Sequence, residues 1–338
     1  MSGAGPRNLI TDVPGLLVGQ VEDREAITGV TVILADAPAV ASVDVRGGAP
    51  GSRETELLDP AALVERIDAI VLSGGSAFGL DAAAGVMEVL AAQGRGFAVR
   101  DVRVPIVPAA ILFDLAFPGR RPWSGAPPHR GLGRAAATAA AAEFALGNAG
   151  AGLGAKAGRL KGGIGSASLR LGDGTTVGAI VAVNCWGAVT RPDCARFLAA
   201  ELVLPGELDP QPPLPQTPLD AEDFSACAAP VAGTNTTLAV VATDAPLDKG
   251  GCRRLAIMAQ TGLARAIRPV HTPFDGDTVF AVSTGGGAPI AADRQLRIGA
   301  AAADCLARAV MRGVQEAASL GGMPSWREIM QAPSAPLA

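Results

Sequence analysis

The chain has 338 residues, 49% of them hydrophobic and 18% charged, with a net charge of −4. That length can bury a large core, as one big α/β domain or two ordinary ones. The near-balanced charge carries no basic excess, which argues against nucleic acid and anionic membrane as partners.

Residues 1–8 lack a basic segment followed by an apolar run, so no signal peptide is expected. No stretch approaches the roughly 20 uninterrupted apolar residues of a membrane helix. Short β-branched runs predict strands over 30–34, 69–73, 177–184, 236–243 and 278–283. Helical patterns fall at 80–92 and 134–146. A last helix is marked by Ile298, Ala302, Leu306, Val310 and Val314, one apolar stripe at i+4 spacing. Between Pro205 and Pro218 six prolines exclude strand and helix interior, so this stretch reads as a surface linker leading to the strand near Thr236. Alternating strands and helices argue for a layered α/β protein. With 4% aromatics and no tyrosine, its core must be built from Ala, Val, Leu and Ile. Cys185, Cys194, Cys227, Cys252 and Cys305 are odd in number and form no CxxC pair. They read as reduced thiols in the cytoplasm, not as a disulfide scaffold or zinc site.

The chemistry has few histidines to draw on: only His129 and His271. A His-based metal site is therefore not expected. A Ser76–His271 hydrolase is one option, although Gly74-Gly75-Ser76-Ala77-Phe78-Gly79 does not have GxSxG spacing. Gly152, Gly154 and Ala157 spell GxGxxA, but no strand precedes them and further glycines follow, so a dinucleotide site is disfavoured. The same loop is either a tight turn or, through Lys156, Arg159 and Lys161, a cationic wall that stabilises an oxyanion. Ala232-Gly233-Thr234-Asn235-Thr236-Thr237 opens a predicted strand. It reads either as a plain Thr-rich strand start or as a self-processing site. In the second case the Thr236 hydroxyl attacks the preceding carbonyl, and the freed α-amine, with a pKa of about 7.7–8.0, acts as its base. Asp275-Gly276-Asp277 is a turn, a weak calcium loop, or a carboxylate pair holding an ammonium and a hydroxyl in register.

Several segments together carry a resemblance. They are Asp44-Val45-Arg46-Gly47-Gly48, Ser73-Gly74-Gly75-Ser76-Ala77-Phe78-Gly79-Leu80 and Val104-Pro105-Ile106-Val107-Pro108-Ala109. Further on come Lys161-Gly162-Gly163-Ile164-Gly165-Ser166-Ala167-Ser168, Asn235-Thr236-Thr237 and Asp275-Gly276-Asp277. Over residues 10–318 the chain resembles the β-aminopeptidase, or L-aminopeptidase/D-esterase, family, nearest its nylon-oligomer hydrolase branch. The resemblance implies a four-layer α/β/β/α sandwich, shared with ornithine acetyltransferases. It implies one domain over 1–338, cut into 1–235 and 236–338 and assembled as a homo-oligomer of four or more copies. It implies Thr236 as nucleophile after cleavage at Asn235–Thr236, Asp275 and Asp277 as its paired carboxylates, and Asn184 assisting the oxyanion. Arg159 stands where the pattern has a lysine and supplies a fixed cation, with Lys156 and Lys161 as neighbours. Ser76 and Phe78 belong to the glycine-rich segment near the substrate. No metal or organic cofactor is implied, and the substrate is a small amide or peptide. Two rivals remain: an acetyltransferase using the same self-generated threonine, and an uncleaved binding protein of the same fold.

Overall fold

The computed structural model describes residues 2–228, 235–288 and 290–331; Ala232, Gly233 and Thr234 of the self-processing motif lie outside the described residues. Strand β1 (Leu16–Asp23) pairs antiparallel with β2 (Thr28–Val45), an 18-residue strand that organises the sheet. Its register shifts between Leu34 and Ala39, where Asp36, Ala37 and Pro38 face solvent. Proline cannot donate to a ladder, so the strand bends there. The first half of β2 pairs with β1 and β4 (Arg66–Ser73), beyond which lie β7 (Ala109–Ile111) and the short β3 (Ser52–Arg53). The second half pairs with β13 (Thr278–Ser283), followed by β12 (Thr236–Thr243), β11 (Thr176–Asn184) and β10 (Gly163–Arg170). Two small ribbons stand apart: β5 (Phe97–Val99) with β6 (Val102–Val104), and β8 (Lys156–Ala157) with β9 (Leu160–Lys161).

The bend folds one ladder into two facing layers. Ile33, Ile70 and Leu72 from one half pack on Ile180, Leu238, Val240 and Phe280 from the other. Alternate residues point the opposite way, as strand pleating requires. Val30, Val32 and Val71 meet Val86 and Leu90 of helix α1 (Ala82–Ala92) and Ala136 of α2 (His129–Thr138). Val181, Val241 and Val279 meet Leu255 and Leu263 of α3 (Lys249–Ala266) and Leu306, Val310 and Val314 of α4 (Ala292–Gln315). The result is the four-layer α/β/β/α sandwich. A short α5 (Trp326–Gln331) stacks Trp326 on Phe197 at 4.9 Å. No helix among the described residues is long and apolar enough to cross a membrane.

The expected strands and the last helix form as read, but the helix expected at 134–146 does not. It begins earlier and ends at Thr138. Beyond it Ala141 exchanges backbone hydrogen bonds with Val18, and Phe144 and Leu146 pack against the core between the sheets. Tertiary pairing overrides the alanine propensity there. The Pro-rich stretch forms neither strand nor helix, and buried Arg308 of α4 ties it down through Glu207.

Small residues set the layer spacing. A Cβ added at Gly262 of α3 would stand 2.2 Å from the Ala303 carbonyl oxygen of α4. Gly262→Ala should therefore force the helices apart and lower unfolding free energy by about 1–3 kcal/mol. Denaturant unfolding checks this, and an unchanged midpoint would show that the crossing relaxes freely.

Candidate active site

Thr236 is the first residue of β12, and the antiparallel register with β11 sets it opposite Asn184, the last residue of that strand. One residue earlier, Asn235 bridges Asp275. The Thr236 hydroxyl donates to the Asn235 carbonyl oxygen at 2.5 Å, and that oxygen also accepts from the Gly276 amide at 3.0 Å. A hydroxyl and its own preceding carbonyl are thus held together at the head of a strand. Gly276 makes the room, since a Cβ there would lie 2.7 Å from Thr236 Oγ1.

The two carboxylates are buried and fully engaged. Asp275 accepts from the Trp186 amide at 3.0 Å through one oxygen, and from the Thr272 amide (3.1 Å) and hydroxyl (2.5 Å) through the other. Burial, then the charge of Asp277, pushes its carboxyl above the usual range. Asp277 accepts the Thr237 amide at 2.8 Å through Oδ1, while its Oδ2 takes the His271 amide (3.0 Å) and lies 2.8 Å from His271 Nδ1. In the intact chain, then, Asp277 grips the residue after the candidate nucleophile, and the two aspartates brace the walls around it. His271 is held in a left-handed conformation, φ 55°, beside this carboxylate.

Asn184 is oriented from the glycine-rich loop. Its side-chain oxygen accepts the Lys156 amide at 3.0 Å, and its NH2 donates to the Phe113 carbonyl at 3.3 Å. The NH2 is the group an oxyanion would use. Lys161 is turned away from this chemistry. Its fully buried ammonium donates to the Gly152, Ala155 and Gly162 carbonyls at 2.8, 3.0 and 2.8 Å. Burial lowers its pKa to about 7, opposed by the charge of Asp114. Three acceptors match the three N–H groups of an ammonium, so Lys161 acts as a clamp on the loop that positions Lys156. Lys156 and Arg159 line a cleft of about 730 Å3, walled by Trp186, Phe224, Cys227 and Met323.

Ser76 and Phe78 occupy a 3₁₀ turn after β4. The Ser76 amide donates to Leu112, and Phe78 meets Trp123 edge-on at 5.8 Å. Among the described residues no hydrogen bond joins Ser76 to His271 or to the Thr236 cluster. The His271 ring is taken by Asp277 instead. Thr272 and Trp186 are supporting residues that sequence reasoning missed, while His271, read there as a partner for Ser76, supports Asp277 instead. His271 and Thr272 flank the Asp-Gly-Asp turn closely enough to have been suspected, whereas Trp186 contributes only a backbone amide, for which side-chain identity gives no signal. Among the described residues no group of three or more His, Cys, Asp or Glu side chains is positioned for a metal ion.

A four-layer sandwich with a threonine at the head of a central strand, beside buried carboxylates and an amide side chain, is an arrangement suited to hydrolysing acyl bonds. Residues 8–326 match peptidase family S58, and the chain belongs to that family, as a hydrolase of peptide or amide bonds. It is 46% identical to an uncharacterized aminopeptidase of Mycobacterium tuberculosis, over 95% of this chain and 98% of that protein. It is 32% identical to a 6-aminohexanoate-oligomer endohydrolase of Paenarthrobacter ureafaciens, over 83% of this chain and 76% of that protein. Its fold is similar to that of the L-aminopeptidase D-Ala-esterase/amidase of Ochrobactrum anthropi, described as a variant of the Ntn hydrolase fold. That likeness has a TM-score of 0.72 and 22% identity, covering 96% of this chain and 90% of that one. A Burkholderia β-aminopeptidase is similar at TM-score 0.68 and 24% identity, covering 98% and 97%.

The Asp277 bonds make a stability prediction. Asp277→Ala strands the buried Thr237 amide, at a cost of about 1–3 kcal/mol, and frees the part-buried His271 amide. Its unfolding midpoint in urea should drop well below that of Asp277→Asn, which keeps one acceptor. Equal midpoints for both variants and wild type would show that the carboxylate does not hold the strand head.

Proposed function

We propose that the chain is a precursor that cuts its own Asn235–Thr236 bond and then hydrolyses peptides or ω-amino-acid oligomers with Thr236 as an N-terminal nucleophile. The observation that carries this reading is the 2.5 Å approach of the Thr236 hydroxyl to the Asn235 carbonyl oxygen, opposite Asn184. Relatives named as an aminopeptidase and as an oligomer endohydrolase support an amide as the bond attacked.

In processing, Thr236 Oγ1 bonds to the Asn235 carbonyl carbon, the C–N bond breaks, and the nitrogen leaves as the Thr236 α-amine. Water then hydrolyses the resulting ester, leaving an Asn235 carboxylate and a free hydroxyl. In turnover the amine takes the hydroxyl proton as oxygen attacks the substrate carbonyl, and returns that proton to the departing nitrogen. A second water releases the acyl group. The Asn184 NH2, with the Arg159 cation at the cleft, stabilises the tetrahedral oxyanion, commonly the largest contribution to rate. Asp275 and Asp277 orient the ammonium. No cofactor enters.

Purified protein should run as two fragments, residues 1–235 and 236–338, by intact-mass spectrometry. Thr236→Ala should remain one piece and be inactive, and a fully active uncut wild type sinks the mechanism. Asp275→Asn and Asp277→Asn should each lower turnover of amides by about two orders of magnitude or more. Normal rates in both would reduce Asp-Gly-Asp to a turn.

The pH profile follows from the amine. An α-amine has a reference pKa of about 7.7–8.0 and works as a base only when unprotonated, so activity rises through about pH 7–8. Neighbouring carboxylates favour the ammonium and move that rise to higher pH. A flat profile from about pH 5 to 9, with chemistry rate-limiting, excludes the amine as base.

A further inference from the structure

The segment Asp44-Val45-Arg46-Gly47-Gly48 closes β2 and runs on behind the Asp275–Asp277 turn. Four backbone hydrogen bonds tie the two together. The Arg46 and Gly47 amides both donate to the Asp277 carbonyl oxygen, at 3.0 and 3.2 Å. The Gly48 amide donates to the Thr272 carbonyl at 3.3 Å, and the Ala49 amide to the Asp275 carbonyl at 2.8 Å.

The glycines are there for space. Neither Gly47, Gly48 nor Gly276 has a positive φ, so their backbone conformations would admit a side chain. A Cβ at Gly47, however, would lie 2.3 Å from the Asp277 nitrogen and 2.4 Å from the Asp275 carbonyl oxygen. One at Gly48 would lie 2.8 Å from Pro273 Cα. In the turn itself, a Cβ at Gly276 would lie 2.7 Å from Thr236 Oγ1 and 2.8 Å from the Ala49 carbonyl oxygen. The turn is thus pressed between the head of β12 and the end of β2, with no room for a methyl group.

The segment is held in turn by α3. Buried Asp44 accepts from Arg46 Nε at 2.7 Å and from Gln260 at 3.2 Å, and pairs with Arg253 at 3.6 Å. The support of the two carboxylates therefore continues through Gly47, Arg46 and Asp44 to a long helix.

We infer that Gly47 is a positioning residue for the hydrolytic reaction, setting how closely the Asp275–Asp277 turn approaches Thr236. The inference rests on Thr236 being the nucleophile, with these carboxylates serving its amine. A methyl group at 47 would move the turn as a unit, and a shift of about 1 Å in such a group can cost about 100-fold in rate.

Gly47→Ala is compared with Gly133→Ala, which would crowd α2 against the Ala82 carbonyl of α1 at 2.2 Å and does not touch the turn. Per folded, processed molecule, Gly47→Ala should lower kcat for amide hydrolysis by about tenfold or more, with KM within about threefold. Gly133→Ala should keep both. The charged and titratable groups around Thr236 are Asp275, Asp277 and His271 on the turn, Lys156 and Arg159 at the cleft, and Cys185, whose thiol burial keeps neutral. Gly47→Ala displaces those on the turn. Carboxylates drawn away from the amine favour its ammonium less, so the rise of activity with pH should begin lower than in wild type. A loss of folded protein alone would scale the profile without moving it.

Should Gly47→Ala not fold, Gly48→Ala, whose methyl would meet Pro273, should give the same signature at smaller size. Wild-type kinetics and pH profile in the variant that folds overturn the inference, as does the same change in that variant and in Gly133→Ala. An active Thr236→Ala would instead fault the nucleophile reading. Amide hydrogen exchange then still decides the placement: faster exchange over residues 272–277 in the glycine variant than in Gly133→Ala upholds it, and equal exchange overturns it.

Discussion

Strand β12 is hydrogen-bonded on both sides, antiparallel to β11 and parallel to β13, and everything at the candidate site follows from that double register. Pairing with β11 puts Thr236 opposite Asn184. The turn leading into β13 returns Asp275 beside Asn235 and sets Asp277 under the Thr237 amide. Both faces of β12 are apolar, so alternation of hydrophobic and polar residues cannot fix its register by itself. Size discriminates instead. Leu238 and Val240 fill the space between the sheets against Phe280, while Ala239 and Val241 face the helices, where α3 and α4 approach closely. A one-residue slip would put leucine under the helices and alanine in the wide core.

The carboxylates show how such a site tolerates buried charge. Each is surrounded by backbone or side-chain donors: Trp186 and Thr272 for Asp275, Thr237 and His271 for Asp277. Donors of this kind favour the charged form, yet burial and then the charge of Asp277 outweigh them at Asp275, whose carboxyl is pushed upwards. Both carboxylates are thereby held by these donors beside the head of β12. The same economy appears in the loop at 152–162, where Lys161 satisfies three carbonyls with one ammonium and leaves the Lys156 amide aimed at Asn184.

Much of this was legible in the sequence because it is local. The strands announce themselves as β-branched runs, α4 as an i+4 stripe, and the Asn-Thr-Thr and Asp-Gly-Asp motifs as short words with chemical sense. What escaped depends on partners far along the chain. Ala141 leaves helical geometry because Val18 offers it a strand partner, and no propensity at 134–146 encodes that. Lys161 looked as good an oxyanion cation as Lys156, because sequence spacing does not tell which ammonium meets three carbonyls and which meets a cleft. His271 suggested a partner for Ser76, yet it lies six residues from Asp277 and is spent there.

The placement of the candidate scissile bond explains how a chain could be cut at its core and stay whole. A break between Asn235 and Thr236 would leave β12 still paired to β11, from the first fragment, along eight residue positions. The interlayer core draws Ile180 and Ile33 from the first fragment and Leu238, Val240 and Phe280 from the second, so it has no seam at which to part. Polar ties cross the same boundary. Buried Arg308 of the second fragment pairs with Glu207 of the first, and Arg312 donates to the carbonyls of Asn8 and Ser166. The Gly276 amide already holds the Asn235 carbonyl oxygen and could keep the new carboxylate in place. Such a cut would turn the Thr236 amide into an amine and add a carboxylate at Asn235. An amide nitrogen has its lone pair delocalised and cannot accept the hydroxyl proton, whereas an amine can. On the proposed reading, a single bond scission would create the base while the pairing of β12 and the core around it stayed in place.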